Sequence, residues 1–260
     1  SEGRYIHFPK NKRTSSDKLM VGITSWLTED ESWKASVLQT KDPDKSRFDR
    51  LCHIAELILK NPTKPDYVIF PELSIKPCWF IPLAMKFNKV GISLIAGIEY
   101  IHPTTSGVKD NQARVREDND NYEQKPNANK DSILNQVWVS VPSHNDEFAA
   151  FSIYRQDKNN AAIHEEQELY DLANKQVHPT RSWIEPPVIV HGDFRFSILI
   201  CSEFSNIKYR ASLRGEIDTL FIPQWNQDTD NFNSFVESSA YDIHSYIVQC
   251  NNRRFGDSRI

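Results

Sequence analysis

The run Phe194-Arg-Phe-Ser-Ile-Leu-Ile-Cys201 constrains this chain more than any other stretch. It is apolar and β-prone, and it stops on a cysteine. The residues that follow, Ser202, Glu203, Ser205 and Asn206, are polar. Such a run reads as a buried strand with a thiol at its C-terminal end. Open α/β folds place their reacting groups at that end of their strands. A thiol there is a nucleophile when a neighbour lowers its pKa or takes its proton. Taken alone, Cys201 reads as ordinary core, because cysteine is among the most buried residue types.

Two upstream runs end in the same manner. In Asp66-Tyr-Val-Ile-Phe-Pro71-Glu72, Pro71 fixes its own φ and stops the hydrogen-bond ladder, so Glu72 is expected to open a loop at the strand's end. Phe148-Ala-Ala-Phe-Ser-Ile-Tyr154 runs out into Arg155, Gln156, Asp157 and Lys158. Three strand ends thus present a carboxylate, an amine and a thiol. A Glu can take the proton of a Cys, and a Lys can stabilise a developing oxyanion. Singly, a strand-end Glu or Lys is most often a solvated surface residue; the ordered set carries the weight.

In that order the set resembles the carbon–nitrogen hydrolase, or nitrilase, superfamily, whose catalytic residues are Glu, Lys and Cys. The resemblance starts at Lys18-Leu-Met-Val-Gly-Ile23 and passes through Phe70-Pro-Glu72, Ala96-Gly-Ile-Glu-Tyr100 and the Lys158 segment. It continues through Ile198-Leu-Ile-Cys-Ser-Glu203, Phe221-Ile-Pro-Gln-Trp225, Val248-Gln-Cys-Asn251 and Gly256-Asp-Ser-Arg-Ile260. It implies Glu72 as general base, Lys158 as oxyanion stabiliser and Cys201 as nucleophile. For the family's auxiliary Glu, Glu165 is the best match and Glu166 the neighbouring alternative. The implied fold is a four-layer α-β-β-α sandwich. The implied reaction is hydrolysis of a non-peptide C–N bond in a small amide, nitrile or carbamoyl compound, with no metal or organic cofactor. Trp225 and Asn226 would border the substrate pocket, and a homo-oligomer would form through residues 206–213.

The chain departs from the family pattern in three places. The family's Lys commonly stands two residues after the strand's Tyr, where this chain has Gln156; Lys158 is preferred because Gln supplies no charge and the spacing to Glu165 fits. Ser202 follows the Cys where an aromatic is usual, and Glu203 stands where Asp or Glu is usual. The segment before the last strand reads Ser238-Ser-Ala-Tyr-Asp-Ile-His244, not a run rich in Arg, Glu and Asn. These positions surround a pocket, so they bear on the substrate more than on the chemistry.

With 39% hydrophobic and 25% charged residues, 260 residues suffice for a sizeable core. Eight glycines leave no glycine-rich phosphate loop. A net charge of -4 argues against a nucleic-acid groove. No apolar stretch reaches the roughly 20 residues of a membrane span. The four cysteines form no C-x-x-C pair, and the eight histidines show no zinc spacing, so His244 reads as packed or surface. A thiol reading of Cys201 points to a reducing cytoplasm.

Alternating strand and helix signals indicate the α/β class. Residues 44–59 read as a helix with Phe48, Leu51, Ile54, Ala55 and Ile58 on one face. Residues 172–178, 206–213 and 232–241 read as further helical pieces. Residues 90–98, 136–141 and 148–154 read as strands, and residues 188–191 and 195–200 as a hairpin around Gly192-Asp193. Residues 1–17 read as a polar tail or linker. Residues 18–260 read as the hydrolase-like domain, expected to be incomplete at its C-terminus because residues 256–260 look like the start of a strand. Residues 104–131, polar and of mixed charge, read as a long loop, disordered in preference to a lid. Phe70, Tyr154 and Trp225 are each either pocket wall or ordinary packing.

A second reading is an interaction or sensing module. Gln224-Trp-Asn226 and residues 251–260 resemble nitrilase-like domains joined to bacterial defence reverse transcriptases. That resemblance implies a reverse transcriptase partner or fusion, and a domain that makes an effector, senses one, or holds an oligomer together.

Overall fold

The computed structural model describes residues 3–9, 18–103, 122–124, 131–144 and 149–260. The chain begins with β1 (Tyr5–Phe8), β2 (Val21–Ile23), α1 (Asp30–Leu38) and α2 (Arg47–Lys60). A parallel unit follows: β3 (Tyr67–Ile75), α3 (Pro77–Asn88) and β4 (Ser93–Ile101). After β5 (Tyr122–Gln124) come the antiparallel pair β6 (Ser132–His144) and β7 (Ala149–Asp157), then α4 (Ile163–Ala173), β8 (Gln176–Val177) and β9 (Arg181–Trp183). The last part comprises the hairpin β10 (Val188–His191) and β11 (Phe194–Ile198), a 3-10 turn at Cys201–Ser205, α5 (Ile207–Ser212), β12 (Thr219–Gln224), α6 (Thr229–Ile243) and β13 (Tyr246–Asn251).

The strands form two main sheets, ordered β1-β10-β11-β12-β13 and β2-β3-β4-β6-β7, with β8 added beside β6. Side-chain alternation explains how they stack. Tyr67, Ile69, Ile95, Val137 and Val139 of the second sheet meet Phe196, Ile198, Phe221 and Val248 of the first in one buried cluster. The intervening residues Val68, Phe70, Leu94 and Ala96 point the other way, onto Leu51 and Ala55 of α2 and Phe80, Ala84 and Phe87 of α3. Across the molecule, Leu220, Ile222 and Ile247 pack against Leu213 beyond α5 and Val236 and Ile243 of α6. The order is therefore α-β-β-α, the four-layer sandwich expected. Burial on both faces is why the strand runs read as continuously apolar. Among the described residues no helix is long and apolar enough to cross a membrane.

Several local readings change. The tail reading fails for residues 5–8: β1 pairs in parallel with β10, Tyr5 opposite Val188 and Phe8 opposite His191. Buried Arg4 donates from Nε to Pro186 O at 3.0 Å. The partner strand lies about 180 residues away, beyond the reach of local pattern. Residues 10–17 lie outside the described residues, as do most of 104–131; from that loop, β5 pairs with β9. The helical piece at 172–178 belongs mostly elsewhere: α4 ends at Ala173, Asn174 takes a left-handed C-cap at φ 51, and Gln176–Val177 is a strand. α1 and α3 were not foreseen; α3 carries Pro82 and apolar residues on most sides, so it shows little helical periodicity. β4 begins only at Ser93, because Val90 and Gly91 close the turn after α3. Phe48 is exposed, its ring 5.4 Å from that of Trp79. The hairpin turns at Gly192, where φ is 67. Arg259 forms an isolated antiparallel bridge to Gln249 on the outer side of β13.

Candidate active site

Glu72 does not open a loop. β3 runs on to Ile75, and its register against β4 shifts between Phe70 and Ile75. Pro71 has no N–H to give the ladder, so a bulge forms there and the strand does not end. Leu73, just after Glu72, sits at φ 52. Ser74 Oγ donates to Pro71 O at 2.7 Å and to Gly97 O at 3.1 Å, tying the bulge to β4. Gly97 is what lets it lie so close: a Cβ there would stand 2.4 Å from both Glu72 Cα and Pro71 O.

Lys158 follows β7, its N–H bonded to Asn135 O at 2.8 Å. Its side chain is 1% exposed. Nζ donates to Glu72 Oε1 at 2.8 Å and to Glu165 Oε2 at 2.6 Å. An ammonium has three donors, so one remains for a third acceptor. Glu165, in the first turn of α4, also accepts Tyr100 Oη–H and Asn135 Nδ2–H on Oε1, both at 2.8 Å. Asn135 Nδ2 donates to Glu72 Oε1 as well, at 2.8 Å. Two carboxylates are thus cross-linked by an ammonium and an amide in a buried cluster.

Cys201 lies beyond β11, at φ 48 and 7% exposed. Non-glycine residues held at such φ are uncommon and need support from their surroundings. Its Sγ faces Trp225 O at 3.7 Å, while Trp225 N–H donates to Glu72 Oε2 at 3.0 Å. The backbone of one residue after β12, Trp225, therefore touches both the thiol and the carboxylate.

Burial pushes the Cys201 thiol well up, with Glu72 adding to the effect and Lys158 opposing it, so the resting group is a thiol. For Lys158, burial favours loss of the proton, but Glu165 and Glu72 overcome it and raise its pKa well above the ordinary value. For Glu165, burial raises the pKa, and Lys158 outweighs it to leave the pKa lowered. Burial, Glu165 and Glu72 hold the Tyr100 hydroxyl well up, so it remains a donor. The cluster therefore sets a protonated thiol beside two carboxyl groups and a fixed cation.

The structure brings Glu72, Lys158, Glu165 and Cys201 together at one end of the two sheets. Glu166 is exposed. Gln156 turns toward the other sheet, with Nε2 donating to Ile198 O at 2.9 Å. Trp225 reaches the cluster through its backbone, and its ring lies 6.2 Å from that of Phe255. Asn226 spends its side chain on the loop: Nδ2 donates to Asp228 O at 3.2 Å and Oδ1 accepts Asp228 N–H at 3.0 Å. Phe70 packs under the helices and Tyr154 between the sheets, so both are core. His244 is the exposed left-handed cap of α6. Sequence reasoning missed Asn135 and Tyr100. The only signal for Asn135 is a polar residue interrupting the apolar run of β6. Among the described residues no group of His, Cys, Asp and Glu could hold a metal ion.

No family model matches the chain, and no curated protein matches it. Solved structures do. A CN-hydrolase superfamily protein from Xanthomonas campestris, with an arsenic adduct in its active site, aligns at TM-score 0.52 and 10% identity over 90% of this chain and 74% of that one. An amidase from Nesterenkonia sp. AN1 in complex with butyramide aligns at TM-score 0.53 and 10% identity over 90% and 76%. A carbon–nitrogen hydrolase from Helicobacter pylori G27 aligns at TM-score 0.50 and 15% identity over 90% and 73%. The chain has the fold of carbon–nitrogen hydrolases of the nitrilase superfamily.

Proposed function

We propose that the chain is a nitrilase-superfamily hydrolase that cleaves a non-peptide C–N bond of a small amide, nitrile or carbamoyl compound through a Cys201 thioester. The observation that carries this reading is the buried Glu72–Lys158–Glu165 cluster set beside Cys201. With an amide, Glu72 takes the thiol proton and the thiolate adds to the carbonyl carbon. The third Lys158 N–H and the backbone N–H of Ser202 hold the oxyanion, a contribution of about 3 kcal/mol per donor. Collapse expels the amine, which leaves with the proton from Glu72, and a thioester remains. Glu72 then takes a proton from water, hydroxide adds to the thioester, and the thiolate leaves and is reprotonated. Glu165, Asn135 and Tyr100 keep Lys158 and Glu72 in place. Trp225 and Asn226 are the proposed border of the substrate pocket.

Turnover of a panel of small amides, nitriles and carbamoyl compounds, with mass spectrometry for an acyl adduct on Cys201, tests the reading. Cleavage that needs Cys201 supports it. No adduct and no turnover across the panel would favour a sensing or oligomerisation module.

The proposed assembly is a homo-oligomer through α5, where Ile207 is 71% exposed; light scattering that shows only monomer at micromolar concentration would exclude it. On the thiol reading of Cys201 we also propose a cytoplasmic setting, and on the sequence resemblance a reverse transcriptase partner in defence. Loss of a protective phenotype in Cys201→Ala would tie that role to the chemistry.

A further inference from the structure

Two turns carry the reacting groups, and one side chain is bonded to both. Glu203 lies in the turn that begins at Cys201 and is 2% exposed. Its Oε2 accepts the N–H of Ile200, the residue before Cys201, at 2.9 Å. Its Oε1 accepts the N–H of Asn159, the residue after Lys158, at 2.6 Å. Asn159 is itself anchored: Nδ2 donates to Trp183 O at 2.7 Å, and Oδ1 accepts Trp183 N–H at 3.1 Å and Ser182 Oγ–H at 3.2 Å. The Lys158 turn therefore has a firm base, and the Cys201 turn, with its φ of 48, hangs from it.

We infer that Glu203 is a positioning residue whose carboxylate clamps the N–H of Ile200, just before Cys201, to the N–H of Asn159, just after Lys158, and so sets the thiol-to-ammonium geometry. The inference rests on the hydrolase reading for its catalytic consequence, but the clamp is testable without a substrate. A buried carboxylate bridging two backbone N–H groups forms charge-assisted bonds, stronger than neutral ones. Protonation leaves one of its oxygens carrying a hydrogen and a poorer acceptor. Burial pushes the Glu203 carboxyl up to about 8, against the Ile200 and Asn159 N–H groups and Lys158, with Glu72 reinforcing burial. The clamp therefore tightens as pH rises through about 8. Its charged neighbours are Lys158 after β7 and Glu72 on β3, with the Cys201 thiol on its own turn.

The test uses Glu203→Gln, which keeps the size but retains a single acceptor oxygen. Hydrogen exchange of peptides spanning residues 157–160 and 199–203 is read by mass spectrometry from pH 6 to 9, with iodoacetamide alkylation of Cys201 alongside. Faster exchange in both segments together, by about fivefold or more, is expected, with loss of the wild-type change near pH 8 in exchange and alkylation. Exchange equal to wild type, faster exchange in the Cys201 turn alone, or an unchanged pH profile would overturn the clamp. Should Glu203→Gln fail to fold, Glu203→Asp, a carboxylate with shorter reach, gives the same readouts. If the wild type cleaves nothing while the exchange result holds, the hydrolase reading falls and the clamp stands.

Discussion

Glu72 and Lys158 stand 86 residues apart in the chain, yet Lys158 Nζ lies 2.8 Å from Glu72 Oε1 in a site with almost no solvent. Neither charge is tolerable there alone. A buried ion pair with one partner removed is destabilising by about 3–5 kcal/mol. Lys158→Met should therefore unfold at distinctly lower urea and abolish turnover. Adding Glu165→Gln to Lys158→Met should recover part of the stability and none of the activity. Equal urea midpoints for wild type and Lys158→Met would contradict the pairing.

Cys201→Ala should lose all turnover while its melting temperature stays within a few degrees of wild type. The thiol is the one group proposed to form a covalent intermediate, and removing one small buried atom costs little beside a large core deletion. Cys201→Ser should also be poor, because a hydroxyl gives up its proton far less readily than a thiol. Steady-state rates with calorimetry on the same samples decide it.

Gly97→Ala should damage the site more than the fold. The added Cβ would meet Glu72 Cα and Pro71 O at 2.4 Å, both backbone atoms that yield only if the bulge moves. Displacing a reacting group by a fraction of an ångström or more lowers kcat, here by about tenfold or more. Gly22→Ala is the control, since its Cβ would meet only side-chain atoms, the nearest at 3.4 Å. Comparable kcat values for the two variants would count against the bulge as the seat of Glu72.

Stability should fall as pH rises from about 6.5 to about 8. Glu203 ionises at about 8 in the fold against an ordinary 4.5, so the native state keeps a proton that the unfolded chain has lost, and stability declines with pH across that window. Burial lowers His191 from 6.5 to about 4, which acts oppositely: between those values the unfolded chain holds the extra proton, and stability rises with pH. The two offset one another from about 4.5 to 6.5, leaving Glu203 alone above. Melting temperatures from pH 5 to 9 check this; in Glu203→Gln the decline above pH 6.5 should flatten.

Much of the candidate site was legible in the sequence because an apolar run interrupted abruptly by Glu, Lys or Cys is a local mark, whether the strand ends there, as at Lys158 and Cys201, or bulges and runs on, as at Glu72. Lys158 was separable from Gln156 on charge and spacing, and Glu165 from Glu166 on spacing. Asn135, Tyr100 and the clamp of Glu203 leave no such mark. Asn135 acts on Glu72 and Glu165, 63 and 30 residues away, through hydrogen bonds that exist only once β6 is registered beside β4 and β7. The side chain of Asn226, a proposed border of the pocket, is held by its own loop, because an Asn two residues before an Asp in a tight turn finds backbone partners first.

By itself the sequence determined the α/β class, the strands whose two faces are both buried, and the chain order of Glu72, Lys158 and Cys201, since apolar periodicity and chain order are local properties. Only the tertiary structure decided that Pro71–Glu72 is a bulge and not a strand end, that residues 5–8 form a strand, and which side chains cross-link the two carboxylates. Those outcomes depend on register and on hydrogen bonds between segments remote in sequence, and no local pattern encodes which remote partner a polar group will meet.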